Sequence, residues 1–184
     1  MPCTWTGIPL HSIPAGDDHV MQGDEHMPFF DDVVLKESIE ITTTPENLFS
    51  YLTSIVDDAS FKTLNADNIS FRWQQGDPWS VGSIAFAEKY LHGKPHRFRF
   101  IVSNIAPHRH IEFMPTSRLM RMFFPKKEFI IEQTDDGCRL ISSATFRIGW
   151  IGKKLFKKSI DDGLSHFKAY LKEEGKNLRK LLEA

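Results

Sequence analysis

Apolar and polar residues alternate through much of this chain, and near residue 152 the period changes from two to between three and four. Residues 33–42 alternate first. Val33, Leu35, Ile39 and Ile41 share a face with Glu37 among them, while Lys36, Ser38, Glu40 and Thr42 take the other. Thr44-Pro45-Glu46 then reads as a helix start, with a capping hydroxyl, a proline in the first turn and an early acid. Leu48, Phe49 and Leu52 form the stripe of that helix. Residues 54–64 predict a second short helix with Ile55, Ala59 and Phe61 inward. A run of strands follows at 68–74, 83–92, 96–105, 109–114, 127–134 and 138–148. Gly76-Asp77-Pro78, His92-Gly93-Lys94-Pro95 and Asp135-Asp136-Gly137 supply turns between them. Within the run, Ile84, Phe86, Glu88 and Tyr90 share one face, as do Phe98, Phe100 and Val102, then Ile111 and Phe113, then Leu140, Ala144, Phe146 and Ile148. Residues 115–126 fit neither period.

The final segment is helical. Phe156, Ile160, Leu164, Phe167, Leu171, Leu178 and Leu181 recur at three- to four-residue spacing, with a gap near Gly175. Unbroken, about 30 residues make a rod of about 45 Å. A series of hairpins cannot bury its inner face alone, so this helix must cover it. The pattern predicts an α+β fold: about six to seven antiparallel strands curved around a long C-terminal helix, with two short helices after the first strand. A curved sheet and a straight rod do not meet flush. The gap between them is either filled by large side chains or left as a pocket.

Residues 1–32 show no sustained period. They contain Pro2, Pro9, Pro14 and Pro28, and six acids without a lysine or arginine. They read as a poorly structured arm, with the folded domain over 33–184. The rest of the chain carries a net +5, although the whole is close to neutral at −1. That balance gives no global drive toward nucleic acid. The 15 phenylalanines far outnumber the 3 tyrosines and 4 tryptophans, which suits either an apolar core or a cavity wall. Cys3 and Cys138, far apart, make neither a disulfide framework nor a thiolate metal site and fit a reducing cytoplasm. No run approaches the roughly 18 apolar residues of a membrane span, and the start lacks a signal-peptide pattern.

Several stretches in this order resemble the START-like superfamily, also called SRPBCC, which includes polyketide cyclases, birch-pollen-allergen-like proteins and START lipid-transfer domains. They are Ser38-Ile39-Glu40-Ile41 leading into Thr44-Pro45-Glu46-Asn47-Leu48-Phe49, then Val81-Gly82-Ser83. Val102-Ser103-Asn104-Ile105-Ala106-Pro107 before Arg109-His110-Ile111-Glu112-Phe113 follows, then Gly137-Cys138-Arg139-Leu140 and the terminal amphipathic helix. The resemblance spans about residues 33–182. It implies a helix-grip fold and a cavity for a small hydrophobic molecule, and it brings no shared catalytic motif.

Candidate chemistry is sparse. Glu37 and Glu88 fall in apolar phase, where a carboxylate must be paired or protonated. Each is a candidate polar anchor or, in an enzyme, the acid or base. Tyr90 would place a hydroxyl beside Glu88. Phe86, Phe98, Phe100, Phe146, Ile160, Leu164 and Phe167 are the candidate wall, and Gly163 would leave room inside it. His108 and His110 would share a strand face toward solvent, too few ligands for a metal, and no cofactor motif is present. Arg118–Lys127 and Lys153–Lys158 mix basic and large apolar residues, suiting a solvated face or an anionic lipid surface. The leading expectation is binding of a lipid, polyketide or similar small hydrophobe. The alternatives are a cyclase- or hydrolase-type enzyme using a buried glutamate, and a module that contacts a membrane or macromolecule.

Overall fold

The computed structural model describes residues 30–91 and 93–184. Its elements run β1 (Phe30–Ile41), α1 (Pro45–Thr53), α2 (Asp58–Leu64), β2 (Asn68–Gln75), β3 (Ile84–Leu91), β4 (Lys94–Ala106), β5 (His110–Pro115), α3 (Arg118–Phe123), β6 (Lys126–Thr134), β7 (Gly137–Gly149) and α4 (Trp150–Leu182). The seven strands form one antiparallel sheet in the order β1-β7-β6-β5-β4-β3-β2. Sequence neighbours pair throughout, except that β1 crosses to the far side and closes on β7. The sheet curves around α4, which packs on β1, β7 and α2. This is the curved sheet around a long helix that the alternation predicts, and the helix-grip fold that the resemblance implies.

The local chemistry explains the elements. Thr44 caps α1 by accepting from the Asn47 amide at 3.2 Å, with Pro45 in its first turn. Asp57 and Ser60 form a reciprocal capping box, so α2 begins at Asp58 rather than at 54. Leu48, Leu52, Phe61 and Leu64 bury the inner sides of both helices in a core shared with Ile41, Phe71, Ile111, Phe129, Ile131 and Leu140. The segment at 115–126 that fits no period is the short helix α3, capped by Ser117. Its length is too small to establish a 3.6-residue repeat.

Other expectations need correction. The sheet begins at Phe30, so residues 30–32 belong to β1, where Asp32 pairs with Arg147 at 2.8 Å. Residues 1–29 of the expected arm lie outside the described residues, as does His92 of the expected turn. Phe156, assigned to the buried stripe of α4, is 61% exposed and sits at a break in the helix (φ −125°, ψ 25°). Strand β3 is turned over relative to its expected phase. Its core-facing residues are Ala85 and Ala87, with Lys89 on the same side, while Phe86, Glu88 and Tyr90 face out. Arg72 covers the Phe86 ring at 4.3 Å, and Glu88 pairs with Arg97 at 3.1 Å. Small inner residues make room for Phe98 and Phe100 of β4, which are paired with Ala87 and Ala85 across the ladder.

Two glycines permit close approach. At Gly137 (φ +150°) an added Cβ would lie 2.3 Å from the Ile41 carbonyl oxygen. At Gly175 it would lie 3.3 Å from Ile39 Cγ2, so this stretch of α4 sits tight on β1. Gly137→Ala is expected to cost on the order of 2 kcal/mol in urea unfolding, because β1 must shift. Gly93→Ala has a positive φ but nothing within 4 Å, and should cost about half as much.

Candidate functional site

The space between sheet and helix is divided. A small inner cavity of about 80 Å³ is lined by Leu52, Ile55, Phe71, Trp73, Trp79 and Phe100 among others, with Lys89, Lys127 and Glu174 also in its wall. Its aromatic rings follow one another around the wall: Phe71 to Trp73 at 5.7 Å, Trp73 to Trp79 at 5.3 Å, and Trp79 to Phe113 at 5.7 Å. Trp79 holds a positive φ of 58°, and its indole N–H donates to the Ile55 carbonyl at 3.0 Å. A left-handed backbone at a large residue is costly, and here it aims the indole at the cavity.

Further along α4 lies an open apolar groove of about 500 Å³. Phe98 of β4, Phe146 of β7 and Ile160, Gly163, Leu164 and Phe167 of α4 line it. Phe124 and Phe146 pack at 5.1 Å, and Phe146 and Phe167 at 5.1 Å. A Cβ on Gly163 would meet nothing within 4 Å, so this glycine faces space rather than close-packed sheet.

Polar residues stand between the two hollows. On β3, Lys89 lines the inner cavity and Leu91, two residues on, lines the groove. On α4, Glu174 lines the cavity and Phe167 the groove, with Tyr170 between. Lys127 Nζ donates to both Glu174 oxygens, at 2.7 and 3.1 Å. Lys89 Nζ donates to the Tyr170 hydroxyl and lies 4.5 Å from the centre of its ring. That hydroxyl in turn lies 3.3 Å from Glu174 Oε1 and 3.1 Å from Asn68 Oδ1. Asn68 is itself fixed by donating to the Phe61 carbonyl at 2.7 Å. Glu174, Tyr170 and Asn68 are all buried.

Burial sets the charge states here. Burial, reinforced by the Lys127 ammonium and opposed by Glu174, pulls the Lys89 pKa down to about 7. Burial pushes the Glu174 carboxyl up, but Lys127, Lys89 and the hydrogen bonds from Lys127 and Tyr170 together hold it below the usual carboxylate range. Burial and the Glu174 charge raise the Tyr170 phenol well above its ordinary value, so it stays a neutral donor.

The candidate residues therefore separate. Phe98, Phe146, Ile160, Gly163, Leu164 and Phe167 come together in the groove, and Phe100 lines the inner cavity. Phe86, Glu88 and Tyr90 are on the outer face, Tyr90 being 48% exposed. Glu37 lies on β1 facing α4 in a separate recess of mixed polar and apolar lining, 3.5 Å from Lys168. Neither glutamate borders an apolar hollow, so neither is placed to act there as acid or base. His108 stands in a left-handed turn, 3.7 Å from Glu46, rather than beside His110 on a strand. His110, Glu112 and Glu128 do converge, but Lys126 already sits 3.4 Å from Glu112 and 3.1 Å from Glu128. Lys89, Tyr170 and Glu174 went unread in the sequence, and Lys127 was read only as the end of the basic segment Arg118–Lys127, whereas it turns inward to Glu174. Two of them carried a signal: Lys127 shares a face with Phe129 and Ile131, and Glu174 falls between Leu171 and Leu178 on the helix stripe.

Residues 32–172 match the family described as polyketide cyclase / dehydrase and lipid transport, and the chain belongs to it. Solved structures share the fold at low identity. An aromatase/cyclase, Zhui, from a Streptomyces species is 10% identical with a TM-score of 0.65, covering 83% of this chain and 94% of that one. The major latex-like protein 151 of Panax ginseng is 9% identical with a TM-score of 0.62, covering 85% and 99%. Ara h 8.0201 is 15% identical with a TM-score of 0.55, covering 80% and 98%. No curated protein matches the chain. Among the described residues, no helix is long and apolar enough to cross a membrane.

The Lys89 shift has a consequence for stability. The folded chain releases this proton near pH 7, whereas the unfolded chain holds it to about 10.5. Between those values the unfolded state binds more protons, so stability should rise with pH, by up to about 1.4 kcal/mol per unit. Urea unfolding at several values from pH 7 to 9 should show that rise, and Lys89→Met should flatten it.

Proposed function

We propose that this protein binds a small hydrophobic molecule, a lipid, a polyketide or one of similar shape, in the groove between sheet and C-terminal helix. The observation that carries the reading is the 500 Å³ apolar groove that Phe98, Phe146, Leu164 and Phe167 line and Gly163 leaves open. Ligand pockets commonly have about this volume and this apolar character. The family's description, which names both cyclisation and lipid transport, supports the same class of guest.

Gly163→Leu separates binding from folding. Leucine is the better helix former by about 0.8 kcal/mol, so stability should hold or rise. The side chain would fill the groove, so binding of an apolar fluorescent dye should weaken at least tenfold. Unchanged dye binding in the stable variant would remove the groove as the site.

A membrane surface is the proposed source of the ligand. Leu119, Met122 and Phe123 on α3 and Trp150, Ile151 and Leu155 on α4 are exposed near the groove. Lys153, Lys154, Lys157 and Lys158 are interleaved with the α4 set, and Lys154 lies 5.4 Å from the centre of the Trp150 ring. Near an anionic surface each lysine contributes about 1 kcal/mol. Exchanging all four for glutamine should weaken sedimentation with phosphatidylserine vesicles at least tenfold, and salt should do the same to the parent chain. Equal binding to neutral and anionic vesicles would refute this.

A further inference from the structure

The inner cavity has a chemistry that the groove lacks. Its polar groups are nearly all donors. Lys89 and Lys127 offer ammonium protons and Trp73 an indole N–H, with the Tyr170 hydroxyl just behind the wall on Lys89. The acceptors they meet are the Glu174 carboxylate, Asn68 Oδ1 and the Tyr170 oxygen itself. Lys127 takes both Glu174 oxygens. Among the described residues the Tyr170 hydroxyl is the sole hydrogen-bond partner of Lys89 Nζ. Trp73 Nε1 is buried in the same wall with no acceptor. With both lysines protonated, two cations face one anion. Buried charges are normally paired and buried donors satisfied, so this wall is short of an acceptor and of a negative charge.

We infer that the inner cavity is a binding site for a short-chain carboxylate, whose anionic head lies between Lys89 and Lys127 beside the Tyr170 hydroxyl and whose apolar body lies among Trp73, Trp79 and Phe100. The size follows from the volume. About 80 Å³ is roughly half of the ~150 Å³ hollow that admits benzene, so the body is a short alkyl chain rather than a fused ring system. The site is separate from the groove and does not depend on what the groove holds. A ligand carboxylate would also supply the charge that Lys89 lacks and restore its proton. Around it stand Lys127 from β6, Glu174 and Tyr170 from α4, Asn68 from β2 and His96 across the ladder on β4, with the Phe61 ring of α2 at 5.0 Å.

The test is titration calorimetry of the full chain with propionate and with propan-1-ol, in two buffers of different ionisation enthalpy. Propionate should bind at least tenfold tighter than the alcohol. It should take up about half a proton near pH 7 and close to one at pH 8.5. Lys89→Met, which removes an incompletely paired cation, should retain the fold, lose the preference for the acid and abolish the proton uptake. Gly163→Leu should leave propionate binding unchanged. Equal affinities for acid and alcohol, an unaltered preference in Lys89→Met, no binding of either probe, or loss of propionate binding in Gly163→Leu would each overturn the assignment. The last result would place the acid in the groove and leave the groove reading standing.

Discussion

A charge taken out of water must find its opposite, and in this molecule that requirement organises the interior. Glu174 is buried on the inner side of α4, and Lys127 of β6 reaches it with a two-point contact. Breaking such a pair from one side costs about 3–5 kcal/mol, whereas replacing both partners by apolar groups is often neutral. The pair therefore contributes position more than stability. It fixes the rotation of α4 about its axis, because the helix face that presents Glu174 must also present Tyr170 and Leu171 to the sheet.

The rest of the interior is arranged around that layer. On one side the aromatic rings of β2, β5 and the turn before β3 close down to a small cavity. On the other, β7 and the first half of α4 diverge into a groove. A continuous apolar channel would have been the simpler outcome of a curved sheet meeting a rod. The polar layer interrupts it, giving two compartments of different size, polarity and access.

Much of the architecture was legible because alternation and 3.6-residue spacing report burial directly. The helix stripe led to Ile160, Leu164 and Phe167, and the β4 and β7 alternations to Phe98 and Phe146. The failures are equally physical. On β3 the buried side is alanine, and the outer side has isoleucine and phenylalanine covered by arginine, so size pointed the wrong way. A lysine beside alanines gave no sign that it turns inward. Lys127 and Glu174 did stand in apolar phase, as Glu37 and Glu88 did. Phase alone does not separate a charge that reaches water past a strand edge from one that meets its partner inside.

Gly163 and Gly175 of α4 mark unequal gaps. At Gly175 the helix nearly touches Ile39, and at Gly163, about 18 Å away along the axis, nothing lies near. The helix and sheet thus form a wedge, narrow at one end and open at the other. A wedge gauges girth at its narrow end but sets no stop at its wide one. A guest in the outer compartment would be sorted by thickness, and surplus length would overhang into solvent at little cost.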